Sequence, residues 1–266
     1  MDFYYQREVS QPDDQIHLAK AALYFARAEY PDLQPDPYLF QLREMAAALA
    51  PRLPTPRYPL KVIEAINQYL FQELGYSGNS RNYYDPRNSF LNEVLSRHTG
   101  IPISLAVVYL ELAKLLDFPM VGIGLPGHFL VRPDFEDVGI FVDVFNEGEI
   151  LFAEDCEQRL QQVYQQEIRL QPHFLEPVGN RQILARMLTN LKFIYINSHD
   201  YERALTMVSF LLATLPHATT ELRDRGLLYY QTGQFAAAVL DLEAYLNLAP
   251  QAQDAPTIHQ ILEQIR

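Results

Sequence analysis

PISLAVVYLELAKLLDFPMVGIGLPGHFLVRPDFEDVGIFVDVF, Pro102 to Phe145, is the stretch whose reading decides the fold. Its first part has no polar face and is long enough for four helical turns, so it predicts a buried helix whose N-terminus lies at Pro102 to Ser104. After Pro119 the texture changes. MVGIGL, HFLVR and GIFVDVF are short, rich in β-branched and aromatic residues and bounded by Gly and Pro, which predicts three strands of an antiparallel meander. EILF, after Gly148, adds a fourth. An apolar helix feeding directly into an antiparallel sheet is an α+β arrangement. The literal pattern GxGxxG at Gly122, Gly124 and Gly127 is not a dinucleotide fingerprint, because Pro126 interrupts it and a strand follows where a phosphate-binding helix N-terminus would be needed.

Upstream, the chain reads as helices. Ile16, Ala19, Leu23, Ala26 and Tyr30 recur at helical spacing up to Pro31. A second helix is expected from Asp36 as N-cap with Pro37 in the first turn, carrying Leu39, Leu42, Met45, Ala46 and Leu49 on one face. A third runs from Pro59 to Leu74, closed by Gly75. The polar segment Gly75 to Ser89 reads as a loop. A further helix lies in SFLNEVLSRHTG, with Ser89 as N-cap and Gly100 as terminator.

Downstream, after the connection QPHFLEP, the chain repeats itself. At a constant offset of 34, Leu188 pairs with Leu222, Tyr195 with Tyr229, Tyr201 with Phe235, Ala204 with Ala238, Leu211 with Tyr245 and Pro216 with Pro250. Gly226 holds the small-residue position in the second copy, whereas Lys192 stands there in the first. The last segment, Pro256 to Arg266, reads as a capping helix. The expected division is therefore residues 1–176, helices plus the α+β core, and residues 177–266, two all-α repeats and their cap.

Composition bounds the function. With 21 Lys and Arg against 33 Asp and Glu the formal charge is −12, which argues against nucleic acid as a partner. No run approaches the ~20 apolar residues of a membrane span, and MDFYYQREVSQPDDQ has no secretory pattern. A single cysteine, Cys156, forms no intrachain disulfide, so a cytoplasmic protein is expected. None of the seven histidines pairs at metal-ligand spacing. No metal or cofactor is expected.

What remains is order and position. Ser104 lies in the first turn of the buried helix, where backbone N–H groups favour an anion. His128 opens the second strand and Asp143 lies 15 residues later on the third, so the two can be cross-strand neighbours, the carboxylate orienting the imidazole. Ser104 also fits the plainer role of satisfying backbone donors at the helix start. The His–Asp pair also fits that of a polar tie between strands.

On NSFLNEVLSRHTGIPISLAVVYLELA (Asn88 to Ala113), GLPGHFLVR (Gly124 to Arg132) and VDVFNEGEIL (Val142 to Leu151), the chain resembles the transglutaminase-like superfamily. Its closer likeness is to the bacterial SirB-type branch, which joins such a domain to repeats. The 34-residue copies resemble the tetratricopeptide repeat. The resemblance implies a helix N-terminus carrying a Cys nucleophile, followed by strands carrying His and Asp. Counted back from Asp117 at the helix end, the nucleophile position is Pro102, so the thiol is missing. Ser104, two residues on, is turned by ~200°. Cys156 falls after both His and Asp, out of order.

Three functions follow. The preferred one is a non-catalytic pseudoenzyme acting as a scaffold or regulator, whose repeats offer a concave face to a protein or peptide partner. There Arg186, Asn190 and Arg223 could donate to a carboxylate-bearing ligand or be ordinary solvated surface. The second is serine-based acyl transfer or amide hydrolysis by Ser104, His128 and Asp143. The third is a small-ligand binding protein using the same cleft.

Overall fold

The computed structural model describes residues 2–135 and 139–265. In chain order the helices before the sheet are α1 (Phe3–Val9), α2 (Leu18–Ala26), α3 (Pro35–Leu49) and α4 (Pro59–Asn67). A short parallel pair, β1 (Ser77–Gly78) and β2 (Thr99–Gly100), brackets α5 (Leu91–Arg97). The apolar run is α6 (Pro102–Leu115), followed by β3 (Met120–Ile123), β4 (Leu130–Pro133), β5 (Phe141–Asp143) and β6 (Glu149–Leu151). Then come α7 (Ala153–Tyr164), the two-residue strand β7 (Pro177–Val178), the repeat helices α8 (Asn180–Asn197), α9 (Tyr201–Thr214), α10 (Thr219–Gln231) and α11 (Phe235–Leu248), and α12 (Ala255–Ile265). The fold is α+β, with a five-stranded antiparallel sheet of order β6-β5-β4-β3-β7 and an all-α C-terminal region.

Pro102 starts α6 at a position where the missing N–H is one the helix would leave unpaired anyway. All of α6 except Leu110, Lys114 and Leu115 is buried. It packs against α2, α3, α5, β3, β4 and α8. Several boundaries differ from the sequence expectation. The chain closes elements with non-glycine residues in the left-handed region, at His98, Asp117, Glu147, Gln165 and His199. Thus α5 stops at His98 (φ 53), two residues before the expected Gly100, and begins after Phe90, not Ser89. The α3 helix takes Pro35 into its first turn and uses Gln34, not Asp36, as its N-cap. The third helix leaves α geometry after Asn67 and continues as a π-helical segment over Gln68–Glu73. The segment expected to be a plain loop holds β1 and a 3-10 turn, Pro86–Asn88. Arg266 of the expected cap lies outside the described residues.

The α1 helix was not expected from the sequence, and it ties the N-terminus to the repeats. Tyr5 lies with its hydroxyl 2.5 Å from Thr214 Oγ1 on α9 and its ring edge-on to Phe210. Asp13 accepts from the backbone N–H groups of Asn180 and Arg181 at 2.9 and 2.8 Å, satisfying the start of α8 from 167 residues away. Arg181 in turn donates to the carbonyls of Val9 and Gln11. A single apolar core contains Tyr5, Leu18, Leu23, Val107, Val131, Ile183, Leu188 and Val208, so packing continues without a break past residue 176. Leu242, Tyr245, Leu246, Ile258 and Leu262 form a separate cluster where α12 covers α11.

Two repeats stack too little surface to stand alone, and the first of them is roofed by α1 and α2. Residues 181–266 expressed alone are expected to unfold at a lower temperature and less cooperatively than the whole chain. A fragment as stable and as helical as the full protein by thermal circular dichroism overturns this.

Candidate functional site

Leu125, Pro126, Gly127 and His128 form the turn between β3 and β4, closed by His128 N–H donating to Leu125 O at 3.0 Å. Pro at the second position and Gly127 at φ 72 in the third are what a type II turn demands. A side chain at Gly127 would also run into Val163 of α7. His128 therefore lies in the turn, two residues ahead of β4, and reaches Asp143 at the end of β5 from there. Its Nε2 is 2.8 Å from Asp143 Oδ2, with His128 6% exposed and Asp143 fully buried. The Phe145 ring stands edge-on to the imidazole at 6.3 Å.

Asp143 is held from several sides. Its Oδ1 accepts from the N–H groups of Phe145 and Asn146, and its Oδ2 from the Asn146 side-chain amide at 2.8 Å. Arg159 of α7 stands 3.6 Å away, bound more closely to Glu149. Burial pushes this carboxyl upward, but the His128 bond and charge, the Asn146 amide and Arg159 together outweigh it and leave it below its ordinary value. An ionised carboxylate only accepts, so Nε2 carries the proton and Nδ1 of a neutral ring is left as the acceptor.

Ser104 is not joined to this pair. Its Oγ is fully buried, donates to Asn88 O at 2.5 Å and accepts from Ile101 N–H at 3.1 Å. The hydroxyl proton is committed to a backbone carbonyl. Pro102 is buried as the first residue of α6. Cys156, in the first turn of α7, is buried among Ile123, Leu125, Leu130, Phe141 and Leu151. Burial, with the charges of Asp155 and Asp143, pushes its thiol up to about 12, although Arg159 opposes this. Burial and the raised pKa both disfavour the thiolate at neutral pH.

The three repeat residues are placed differently from one another. Arg186 is turned toward the sheet and donates to Leu125 O and His128 O at 3.1 and 2.7 Å. Arg223 is held by Asp224 and Asp254 at 2.8 and 2.9 Å, so its charge is already neutralised; Asn190 is half-buried on α8. Among the described residues no group of three or more His, Cys, Asp or Glu could hold a metal, and no helix is long and apolar enough to cross a membrane. Sequence reasoning missed Asn146 and Arg159. The first had a signal, since Asp143 followed by Asn146, Glu147 and Gly148 is an Asp-initiated turn; the second, 16 residues away on α7, had none.

A buried helix followed by an antiparallel meander agrees with the comparison to known families. The family model of the transglutaminase-like superfamily matches residues 36–189. The chain belongs to that superfamily. A tetratricopeptide repeat model matches residues 191–264. A UPF0162 protein of Xylella fastidiosa (strain 9a5c) is 40% identical over 250 residues, 92% of this chain and 89% of that protein. A UPF0162 protein of Vibrio cholerae serotype O1 is 30% identical over 238 residues, 89% and 88%. F-box only protein 21 of Homo sapiens is 29% identical over 185 residues, 65% of this chain and 28% of that one. No solved structure matches.

Two outcomes follow from this geometry. Asp143 is depressed below 3.8 in the folded chain, so around that pH the folded protein binds fewer protons than the unfolded one. Its stabilisation is complete well above 3.8 and is lost as pH falls through the folded value. The difference in urea-unfolding free energy between wild type and Asp143→Asn should therefore shrink as pH is lowered from about 6 to about 2. A difference that does not change with pH contradicts it. Ser104→Ala leaves Ile101 N–H and Asn88 O without their partner in the interior, and should cost about 1–3 kcal/mol by the same assay; a neutral substitution contradicts the capping role.

Proposed function

We propose that the protein is a non-catalytic member of its superfamily, a scaffold or regulator that engages a protein or peptide partner through its repeat region, in the cytoplasm. The observation that carries this reading is Pro102 at the first position of α6, where the family nucleophile is expected. Proline has no nucleophilic group. The two other candidates support the same view. The Ser104 proton is directed to Asn88 O, and the Cys156 thiol is buried with its pKa raised. Without an activated nucleophile the His–Asp pair has nothing to deprotonate.

Stacked helix pairs present a concave surface suited to an extended peptide or a helix, which favours binding as the role of residues 177–266 beside the transglutaminase-like residues 1–176. The intramolecular partners of Arg186 and Arg223 leave Asn190 as the donor of the three free to meet a ligand in that surface.

Amine incorporation into protein glutamines and peptide hydrolysis, each assayed with and without iodoacetamide, should be absent. Activity abolished by alkylation of Cys156 overturns the reading. Pro102→Cys tests the position itself. A thiol there, at a helix N-terminus, should alkylate at least ~10-fold faster than Cys156 at neutral pH, and an equal rate removes the assignment. Affinity purification from the native cell should recover a partner with the full chain that is lost with Asn190→Trp; recovery unaffected by that change moves binding away from the repeat surface.

A further inference from the structure

Arg186 belongs by sequence to the first repeat helix, yet its guanidinium sits at the turn that carries His128. Nη2 donates to Leu125 O and to His128 O, the first and last residues of the type II turn. The turn's own closing bond runs between the same two residues, from His128 N to Leu125 O. The guanidinium also lies 5.4 Å over the Phe129 ring, and Phe129 is the residue that follows His128. Burial lowers the Arg186 pKa, with the Tyr83 and Tyr164 phenols opposing. A half-buried cation that donates twice to one turn and stacks on the next side chain restricts both the height and the tilt of that turn.

The other contacts of His128 and its turn lie on different sides. The Asp143 bond holds the ring from the β5 side. Gly127 packs against Val163 of α7. The carbonyl side of the turn rests on α8.

We infer that Arg186 is a positioning residue: it locks the His128 turn onto the first repeat helix, so that the repeat region sets the geometry of the His128–Asp143 pair. This goes beyond the scaffold reading and stands whether or not the pair performs chemistry. It replaces the role of Arg186 as a donor to a ligand in the repeat groove. Any displacement of α8 by a bound partner acts on the imidazole through two hydrogen bonds and a ring.

The test uses the full chain with 15N-labelled histidine. In wild type, the His128 Nε2–H bonded to Asp143 gives a slowly exchanging proton resonance. In Arg186→Gln, which keeps an amide donor but loses the charge, the reach and the stacking, that proton should exchange with water at least ~10-fold faster. Arg186→Lys should fall between the two, and Phe193→Ala, an exposed position on the same helix, should leave it unchanged. An Arg186→Gln protein whose His128 resonance and exchange rate match wild type overturns the inference. If Arg186→Gln does not fold, wild type labelled at arginine decides. Separate, slowly exchanging Arg186 Nη protons with through-hydrogen-bond coupling to the His128 carbonyl support the lock, and averaged Nη resonances overturn it.

Discussion

A helix without a polar face has to be wrapped on every side, and the rest of this protein is arranged around α6. Its mean composition leaves no solvent-facing stripe, so the usual two-layer solution, one buried face against one partner, is closed to it. Helices α2, α3 and α5 cover part of it, the sheet covers another part through β3 and β4, and β2, the 3-10 turn Val144–Asn146 and α8 cover more. The cover includes a repeat helix, and that has a structural consequence. The first repeat cannot be an appendage, because removing it would uncover apolar side chains of the α+β core. Each leucine-sized side chain so exposed costs about 1.5–3 kcal/mol, a large part of the total stability of an ordinary domain.

The sequence displays such features where they are local and periodic. The α6 run, the meander and the 34-residue offset were all legible, because each is written in the spacing of apolar residues along one segment. What escaped is long-range or conformationally unusual. The α1 helix is only seven residues long and is fixed by Tyr5 meeting Thr214, more than two hundred residues on. The ends of α5 and α7 are made by His98 and Gln165 in the left-handed region, a conformation that for non-glycine residues costs ~1–2 kcal/mol and is recognised in a sequence only when glycine supplies it. In the site, the order His128 then Asp143 was readable. The fate of Ser104 was readable only as a choice between nucleophile and cap, and the carbonyl of Asn88 resolves where its proton goes. The role of Arg186 was beyond reach, since its acceptor at His128 lies 58 residues away, and for Arg223 only the neighbouring Asp224 was in view, its second carboxylate, Asp254, lying 31 residues on.

The His–Asp pair has a structural logic of its own. A buried ion pair is weak evidence for stability, because desolvation opposes attraction. Here Asp143 accepts from His128, two backbone N–H groups and the Asn146 amide, so removing the imidazole alone would leave the carboxylate still largely satisfied. The network is more complete around the Asp than around the His. The carboxylate organises the turn after β5, and the imidazole is the member whose position depends on outside support, from the Pro126–Gly127 turn and from α8.

The degenerate position in the first repeat fits this division of labour. In the second repeat Gly226 lets α10 and α11 approach so closely that a Cβ there would stand 2.7 Å from Leu242. In the first, Lys192 fills the equivalent place and is almost fully buried, its stem running between helices and its ammonium meeting Glu221 and Asp224 of α10 at 2.9 and 2.8 Å. A lysine can occupy a small-residue position only if its charged end reaches carboxylates beyond the crowded point. The result is an ionic tie from α8 to α10 in addition to apolar stacking. The same helix that holds the His128 turn through Arg186 thus holds the second repeat through Lys192. Six residues separate them, a little under two helical turns, so α8 presents one cation to the sheet and another to α10 of the second repeat. Both ties are charge-assisted hydrogen bonds, which fix the distance and direction of the groups they join more narrowly than apolar packing does.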